Sequence, residues 1–399
     1  MGNLSTGPAM RDVWIRGAAM TPFGKHPERS GRDLVEEALS AALADAGLQA
    51  GDVQAAYVGN AAAGLMSGQE SIRAQVVLRR TPLMGVPMVN VENACASSST
   101  ALHLGWQAVA GGMHDCVVVI GYEKLYDPDR SKAVHALNAS IDLTDLSDVF
   151  STPAQERAIF MDLFGAYSDG RGRDRFEPDV LALVSVKSHR NGSLNPCAQY
   201  QREVTVEEVL GSRQVAGPLT VLMCAALSDG AACLVLCAPG FRNSRGRGVK
   251  IAASVLASGR GDDMRQATAV ERAVRDAAAA AGAGLEDVDV IELHDATSVA
   301  ELRLYEEMGL CGEGEAERLV QERVTWLGGK LPVNPSGGMI SRGHPMGATG
   351  AAQVVELTWQ LQGRCAGRQV PAPRLALAQN NGGWVGSDSA VCCVHILQR

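Results

Sequence analysis

The chain has 399 residues, of which 46% are hydrophobic, and a formal net charge of −8. This length supplies core for two packed halves. The negative balance argues against nucleic acid as a partner, and no apolar run is long enough to span a membrane.

In chain order, apolar periodicity predicts a strand over residues 13–18, a helix over 32–46, and strands over 55–60 and 88–93. The last of these runs into Val91-Glu-Asn-Ala-Cys-Ala-Ser-Ser-Ser-Thr100 and a helix-like segment ending near Val109. Cys95 therefore stands where a strand gives way to a helix. Unpaired N–H groups and the helix dipole favour a thiolate at such a place, and Ala94, Ala96 and Ser97 leave room for a substrate. Cys95 is a nucleophile candidate, with a small buried packing residue as the alternative.

A polar, charged excursion follows, including the run Arg171-Gly-Arg-Asp-Arg175. The second half then repeats the first, with a strand over 249–255, an alanine-rich helix over 264–281, and a strand over 288–294 that ends on His294. A glycine-rich loop carries His344 and opens a helix from about 347 to 362. The repeat is also literal: Ala46-Gly-Leu48 matches Ala283-Gly-Leu285, and Trp106-Gln-Ala-Val-Ala-Gly111 echoes Trp359-Gln-Leu-Gln-Gly363. Strands alternating with helices in two similar halves predict two α/β units packed side by side. The alanine-rich helix is too apolar for an outer surface and is expected in a buried layer.

Ten cysteines are sparse in a chain this long. Cys233, Cys237, Cys392 and Cys393 fall in apolar strand-like runs, so reduced, buried thiols are expected, as in a cytoplasmic enzyme. The spacing of Cys233 and Cys237 has no accompanying Cys or His cluster, and no metal site is expected. Met1-Gly-Asn-Leu-Ser-Thr6 fits a short myristoylation pattern but reads as a polar tail. No signal peptide or peroxisomal address is apparent, which points to the cytoplasm.

A thiol and two imidazoles at strand ends or in a Gly-rich turn suit a base-assisted thiol nucleophile with an oxyanion site. The segments carrying them are the Cys95 stretch, Val290-Ile-Glu-Leu-His-Asp-Ala-Thr-Ser298, and the loop Leu331-Pro-Val-Asn-Pro-Ser-Gly-Gly-Met-Ile-Ser-Arg-Gly-His-Pro-Met-Gly-Ala-Thr-Gly-Ala351. With the mid-chain segments at 181–196 and 218–232, they resemble the thiolase family over nearly the whole chain, specifically the branch related to sterol carrier protein thiolases.

The resemblance implies a duplicated, five-layered α-β-α-β-α thiolase fold. One half would span residues 10–121 and resume over about 218–240, residues 122–217 would form an inserted loop domain over coenzyme A, and 245–399 would form the second half. It also implies acyl transfer from a coenzyme A thioester through Cys95. His344 would be the base, and His294 a donor to the thioester oxygen of the second substrate. The loop Asn381, Gly382 and Gly383 would help to form an oxyanion hole with the Cys95 backbone. Coenzyme A enters as substrate, with no permanent cofactor. A homodimer or dimer of dimers is implied, weakly supported here by the small-residue run at 60–66.

The chain departs from the family at the acid/base cysteine. One usual position holds Ala296, and the other falls in Gln379-Asn-Asn-Gly-Gly383. Cys392 and Cys393 lie beyond that loop and read as core of a final strand. Three enzymatic readings follow. The first is C–C bond formation or cleavage with the proton carried by His294, His344 or water. The second is acyl transfer to a non-coenzyme-A acceptor such as an activated aromatic carbon. The third is a retro-aldolase, against which the retained Cys95 counts. The last two bring in a small partner with a zinc ribbon and an oligonucleotide-binding-type fold. A non-catalytic scaffold is the remaining alternative. His103, His114 and His189 read as ordinary packing, helix or loop positions, Asn334, Ser336, Ser341 and Arg342 as supports of the His344 loop, and Asp295 as orienting the His294 turn.

Overall fold

The computed structural model describes residues 10–143, 158–168, 176–243 and 248–399. The myristoylation-like N-terminus and the run 171–175 lie outside the described residues. Among the described residues nine strands form the main sheet: β1 (Trp14–Met20), β2 (Ala55–Gly59), β3 (Met88–Val91), β4 (Cys116–Glu123), β5 (Gly230–Cys237), β6 (Val249–Ser258), β7 (Val290–Glu292), β8 (Leu375–Val385) and β9 (Asp388–Gln398). Their order is β3-β2-β4-β5-β1-β6-β9-β8-β7.

The order is a duplication about the β1–β6 contact, where Trp14 pairs with Lys250 and Ile15 with Val249. Outward from β1 come β5, β4, β2 and β3; outward from β6 come their counterparts β9, β8 and β7, followed by a parallel bridge from Ile291 to Val333. In each half the inner pairs are antiparallel and the β2–β4 and β7–β8 pairs parallel.

Helices complete five layers. On one outer face α1 (Gly31–Ala46) buries Leu34, Val35, Ala38 and Leu39 against Val118, Ile120 and Val235. Between the halves lie α2 (Ser97–Ala110) and α7 (Thr349–Gln362), packed among residues of both halves such as Val119, Leu234, Val290 and Ala376. On the other outer face α5 (Ala269–Ala281) and α6 (Ser298–Glu307) cover Leu377, Val394 and Ile396. Both α1 and α5 start in a capping box, Ser30 with Asp33 and Thr268 with Glu271, and both end on a left-handed glycine, Gly47 and Gly282.

Three expectations are corrected here. The alanine-rich helix is an outer one: Ala269, Val270, Ala273, Val274 and Ala277 are buried, while Glu271, Arg275, Asp276, Ala279 and Ala280 are exposed. Alanine is small enough to sit on either side of a helix, so the i, i+3, i+4 stripe decides orientation rather than total apolarity. This helix also begins at Ala269, because Thr268 caps it and Asp263 holds the preceding residues in a turn. In addition, the literal match of Leu48 with Leu285 is two residues out of structural register, since the equivalent helices end at Ala46 and Ala281 and the equivalent strands begin at Ala55 and Val290.

Between β4 and β5 lie α3 (Ile159–Ser168), α4 (Pro178–Ser193) and the ribbon Gln214–Ala216 with Leu219–Thr220. Helix α3 packs on α6. Among the described residues no helix is long and apolar enough to cross a membrane.

Candidate active site

The turns Ala94–Ala96 and Met346–Ala348 occupy equivalent places, immediately before the buried helices α2 and α7. Their meeting requires a very close backbone approach. A Cβ on Gly121 would lie 2.6 Å from both the Gly347 carbonyl oxygen and Ser98 Cβ, and one on Gly59 would lie 2.6 Å from Ser98 N. Only glycine fits at Gly59, the last residue of β2, and at Gly121, two residues before the end of β4.

Cys95 follows Ala94, whose φ of +48° is left-handed, a conformation costing roughly 1–2 kcal/mol for a residue with a Cβ. The turn is held by Ser97 Oγ, which donates to Ala94 O (2.6 Å) and accepts from Asn93 N (3.0 Å). Asn93 Nδ2 donates to Thr100 Oγ1 at 3.0 Å.

His344 is fixed from its backbone, its N–H donating to Ala226 O (2.7 Å) and lying 3.1 Å from Ser228 Oγ. Its Nε2 lies 3.2 Å from Cys95 Sγ and its Nδ1 lies 2.8 Å from Thr349 Oγ1. The Thr349 hydroxyl donates its one hydrogen to Pro345 O at 3.2 Å. It therefore accepts from Nδ1–H, which leaves the Nε2 lone pair facing the thiol.

His294 stands edge-on to His344, with ring centroids 5.5 Å apart. Asn380 Nδ2 donates to His294 Nδ1 at 2.9 Å, so the proton of the neutral ring resides on Nε2. The His294 backbone N–H donates to Gln379 Oε1 at 3.1 Å.

Burial governs the protonation states. It lowers the pKa of His294 to about 3 and that of His344 well below the ordinary imidazole value, helped by His294 and Arg342. Cys95 is pushed up to about 12, first by burial and then by Glu123. The thiolate expected from a helix N-terminus is thus corrected to a neutral thiol beside a neutral imidazole. The position is as expected, but loss of water outweighs the dipole.

Glu123 ends β4 and is fully buried. Its oxygens accept from Ala61 N (3.0 Å), Ala62 N (3.2 Å), Asn60 Nδ2 (2.8 Å) and, from the other half, Gly347 N (3.0 Å). Burial raises its pKa while these N–H donors oppose the rise. Sequence reasoning missed Glu123, Thr349 and Asn380. The available signals were an acid closing an apolar strand, a hydroxyl five residues after His344, and a second amide beside Asn381.

A cavity of about 100 Å³ reaches Cys95, His294 and His344 and is also lined by Ala296, Asn381 and Gly383. Gly382 is not among its walls; a Cβ there would lie 2.2 Å from Asn93 O, so it permits contact with the Cys95 turn. Cys95 is the one cysteine in the lining among the described residues. Cys392 and Cys393 are fully buried in β9, against Gln379 Nε2 (3.5 Å) and Thr100 Oγ1 (3.7 Å). All ten cysteines are free.

The remaining residues support the site from below. Asp295 accepts from Met339 N (2.8 Å), and Asn334 Oδ1 from Leu293 N (2.8 Å). Ser336 Oγ donates to Glu292 (2.7 Å), which pairs with Arg342 (3.1 Å), and Ser341 donates to Tyr200 O (2.8 Å). His103 bonds Ser254 Oγ at 3.0 Å, and His189 stacks on Tyr200. The ring nitrogens and sulfur of Cys95, His294 and His344 all lie within 4.8 Å of one another, but His294 Nδ1 is engaged by Asn380 and its Nε2 holds the proton, so the trio suits proton exchange rather than a metal ion.

A duplicated α/β chain whose two central helix N-termini bring a thiol against an imidazole defines the thiolase class. The family model described as thiolase, N-terminal domain, matches residues 13–239, and thiolase C-terminal domain-like matches 253–398. The chain belongs to the thiolase family, and it is an acyltransferase of that type.

Among its relatives, an acetyl-CoA acetyltransferase of Methanothermobacter thermautotrophicus is 38% identical, covering 98% of this chain and 100% of the relative. The benzoylsuccinyl-CoA thiolase subunit BbsB of Thauera aromatica is 35% identical, covering 94% and 95%. Sterol carrier protein 2 of Gallus gallus is 37% identical, covering 94% of this chain and 71% of the relative. Two solved structures share the fold: an Ltp2-ChsH2(DUF35) aldolase (TM-score 0.77, 23% identity, 99% of each chain) and Acat5 thiolase from Ascaris suum in complex with coenzyme A (TM-score 0.69, 19% identity, 98% of this chain and 100% of the other).

Proposed function

We propose that the chain makes or cleaves a C–C bond next to a coenzyme A thioester through an acyl-Cys95 intermediate. The observation that carries this reading is the His344 Nε2 lone pair 3.2 Å from Cys95 Sγ. Nε2 takes the thiol proton as sulfur adds to the thioester carbonyl, and returns it to the departing coenzyme A sulfur. Cys95 N–H and Gly383, with Asn381 beside it, form the oxyanion site for the acyl carbonyl, and Gly382 permits their approach. His294 Nε2–H donates to the thioester oxygen of the second substrate, where enolate charge develops.

The second substrate must lose an α-proton to attack, and with Ala296 in the cavity the carrier is His344 or a water, since His294 Nε2 already holds its proton. Residues 122–217 act as the loop domain over coenzyme A, flanked by the two halves at 10–121 with 218–240 and at 245–399. A second copy of this chain covers edge strand β3, where Val89 is 39% exposed, and the segment before it, where Ile72 and Met84 are 59% and 51% exposed. The cytoplasm is the proposed location.

A second reading is favoured by the single thiol in the cavity: transfer to a non-coenzyme-A acceptor, or retro-aldol cleavage, together with a small zinc-ribbon and oligonucleotide-binding-type subunit. A scaffold role fits poorly with an intact thiol–imidazole contact. The test is thiolysis of a 3-oxoacyl-CoA in the presence of coenzyme A. Appearance of two shorter thioesters, lost in Cys95→Ala, supports the first reading, whereas coenzyme A release from acyl-CoA without C–C cleavage moves the function to the second.

A further inference from the structure

A chain of hydrogen bonds runs inward along the seam between α2 and the sheet, starting from the exposed Gln107. Gln107 Nε2 lies 3.0 Å from His103 Nε2, His103 Nδ1 lies 3.0 Å from Ser254 Oγ, and Ser254 Oγ lies 3.0 Å from His395 Nδ1. Burial lowers the pKa of His103 and brings that of His395 down to about 3, so near neutral pH each ring carries a single N–H.

The direction of the chain follows from its outer end. An amide nitrogen only donates, so His103 Nε2 accepts and the His103 proton sits on Nδ1. His103 Nδ1–H donates to Ser254, the Ser254 hydroxyl donates to His395 Nδ1, and the His395 proton is left on Nε2.

There the chain meets Ser99 and Asn380. His395 Nε2, Ser99 Oγ and Asn380 Oδ1 are buried and have no hydrogen-bond partner among the described residues, a costly state for polar atoms. Ser99 adjoins the other two. Its backbone lies beside the His395 ring without closing a bond to Nε2, and a Cβ on Gly350 of α7 would lie 2.0 Å from Ser99 Oγ and 2.8 Å from Asn380 Oδ1. In the sheet His395 pairs with Ala378 and Cys393 with Asn380, which makes His395 and Asn380 diagonal neighbours on one face.

Asn380 touches the reactive group, since its Nδ2 donates to His294 Nδ1 at 2.9 Å. The two ends of an amide have nearly the same shape, so packing alone does not choose which one faces His294. With Oδ1 there instead, the His294 proton would move to Nδ1 and the Nε2–H donor would be lost. A donor at the far end of the amide decides the matter.

We propose that Ser99 and His395 are positioning residues for His294: the Ser99 hydroxyl accepts from His395 Nε2–H and donates to Asn380 Oδ1, which fixes the amide and keeps the His294 proton on Nε2. The catalytic consequence rests on the proposed function above, in which the second substrate alone uses that donor. The tautomer does not depend on that reading.

Nitrogen-15 NMR of labelled histidine in the natural chain, Ser99→Ala and His395→Phe, with His294→Asn to assign the signal, reads the tautomer without substrate. Cys95 acylation and α-carbon deuterium exchange with acetyl-CoA are followed on the same proteins. The expected result is His294 as Nε2–H in the natural chain and a mixture of tautomers in both variants. Exchange should fall roughly tenfold while acylation changes by less than about twofold. In an Asn380→Ala background Ser99→Ala should cost nothing further. If His395→Phe does not fold, Ser99→Ala decides alone, because it deletes only an oxygen that has no partner. A hydroxyl that merely fills space would leave tautomer and exchange unchanged in Ser99→Ala, and that result overturns the inference. So does a natural chain with the His294 proton on Nδ1, or an equal loss of acylation and exchange. Absence of both Cys95 adduct and exchange in the natural chain counts against the proposed function, and the tautomer readings still decide this inference.

Discussion

Cys95 Sγ and His344 Nε2 lie 3.2 Å apart although their chain positions differ by 249 residues. Each belongs to a different half of the duplicated fold, and each is set by the segment leading into a buried central helix. With the thiol pushed up to about 12 and His344 depressed well below its ordinary value, neither is ionised across neutral pH. Nucleophile and base therefore act as one unit: the proton leaves sulfur only as sulfur bonds to carbon.

The pH dependence follows. Acylation of the natural chain should be flat from about pH 7 to 9, because the imidazole is already a free base and the thiol still holds its proton. In His344→Asn only the standing thiolate reacts, so its rate should be lower by a factor of about 10²–10⁴ at neutral pH and should rise roughly tenfold per pH unit toward the thiol pKa. Stopped-flow acylation across pH checks both slopes; a natural-chain rate rising tenfold per unit would contradict base assistance.

Thr349 holds the tautomer. Thr349→Val leaves the buried His344 Nδ1–H without an acceptor, a loss of about 1–3 kcal/mol, and should lower acylation roughly 10- to 100-fold, whereas Thr349→Ser restores most of it. A valine variant with full activity would remove Thr349 from the account.

Glu123 joins the halves and adds to the rise in the Cys95 pKa. In Glu123→Gln the thiolate absorbance near 240 nm should therefore appear at lower pH than in the natural chain. Glu123→Ala strands the N–H groups of Ala61, Ala62 and Gly347 and should destabilise the fold by about 3–5 kcal/mol, at 1–3 kcal/mol for each buried group with partial relaxation, as measured in urea.

Ala296→Cys places a second thiol in the cavity beside His294. It should accelerate deuterium exchange at the α-carbon of an acyl-CoA by tenfold or more, within the general-base range of about 10²–10⁴, as read by mass or NMR. Unchanged exchange would mean that proton removal is not what this position limits.

Much of this site was legible because Cys95, His294 and His344 are each placed by local rules: a strand end, a glycine-rich turn, a helix start. The duplication was legible as a repeated period of strands and helices, whereas the literal Ala-Gly-Leu match falls two residues out of structural register. The protonation of Cys95 was not, since it depends on water excluded by the packed halves. Nor was the outer position of α5, because alanine content conceals a stripe that five exposed positions reveal. Glu123 and Thr349 escaped because their partners, Gly347 N and His344 Nδ1, are identified only once the chain is folded.

The most direct test of the account is intact-protein mass spectrometry after brief incubation with a panel of acyl-CoAs, followed by peptide mapping. The account predicts one acyl adduct per chain, located on Cys95, absent in Cys95→Ala, and discharged as a free thioester when coenzyme A is added. Bound coenzyme A with no adduct from any donor, or an adduct that maps to another cysteine, would contradict it.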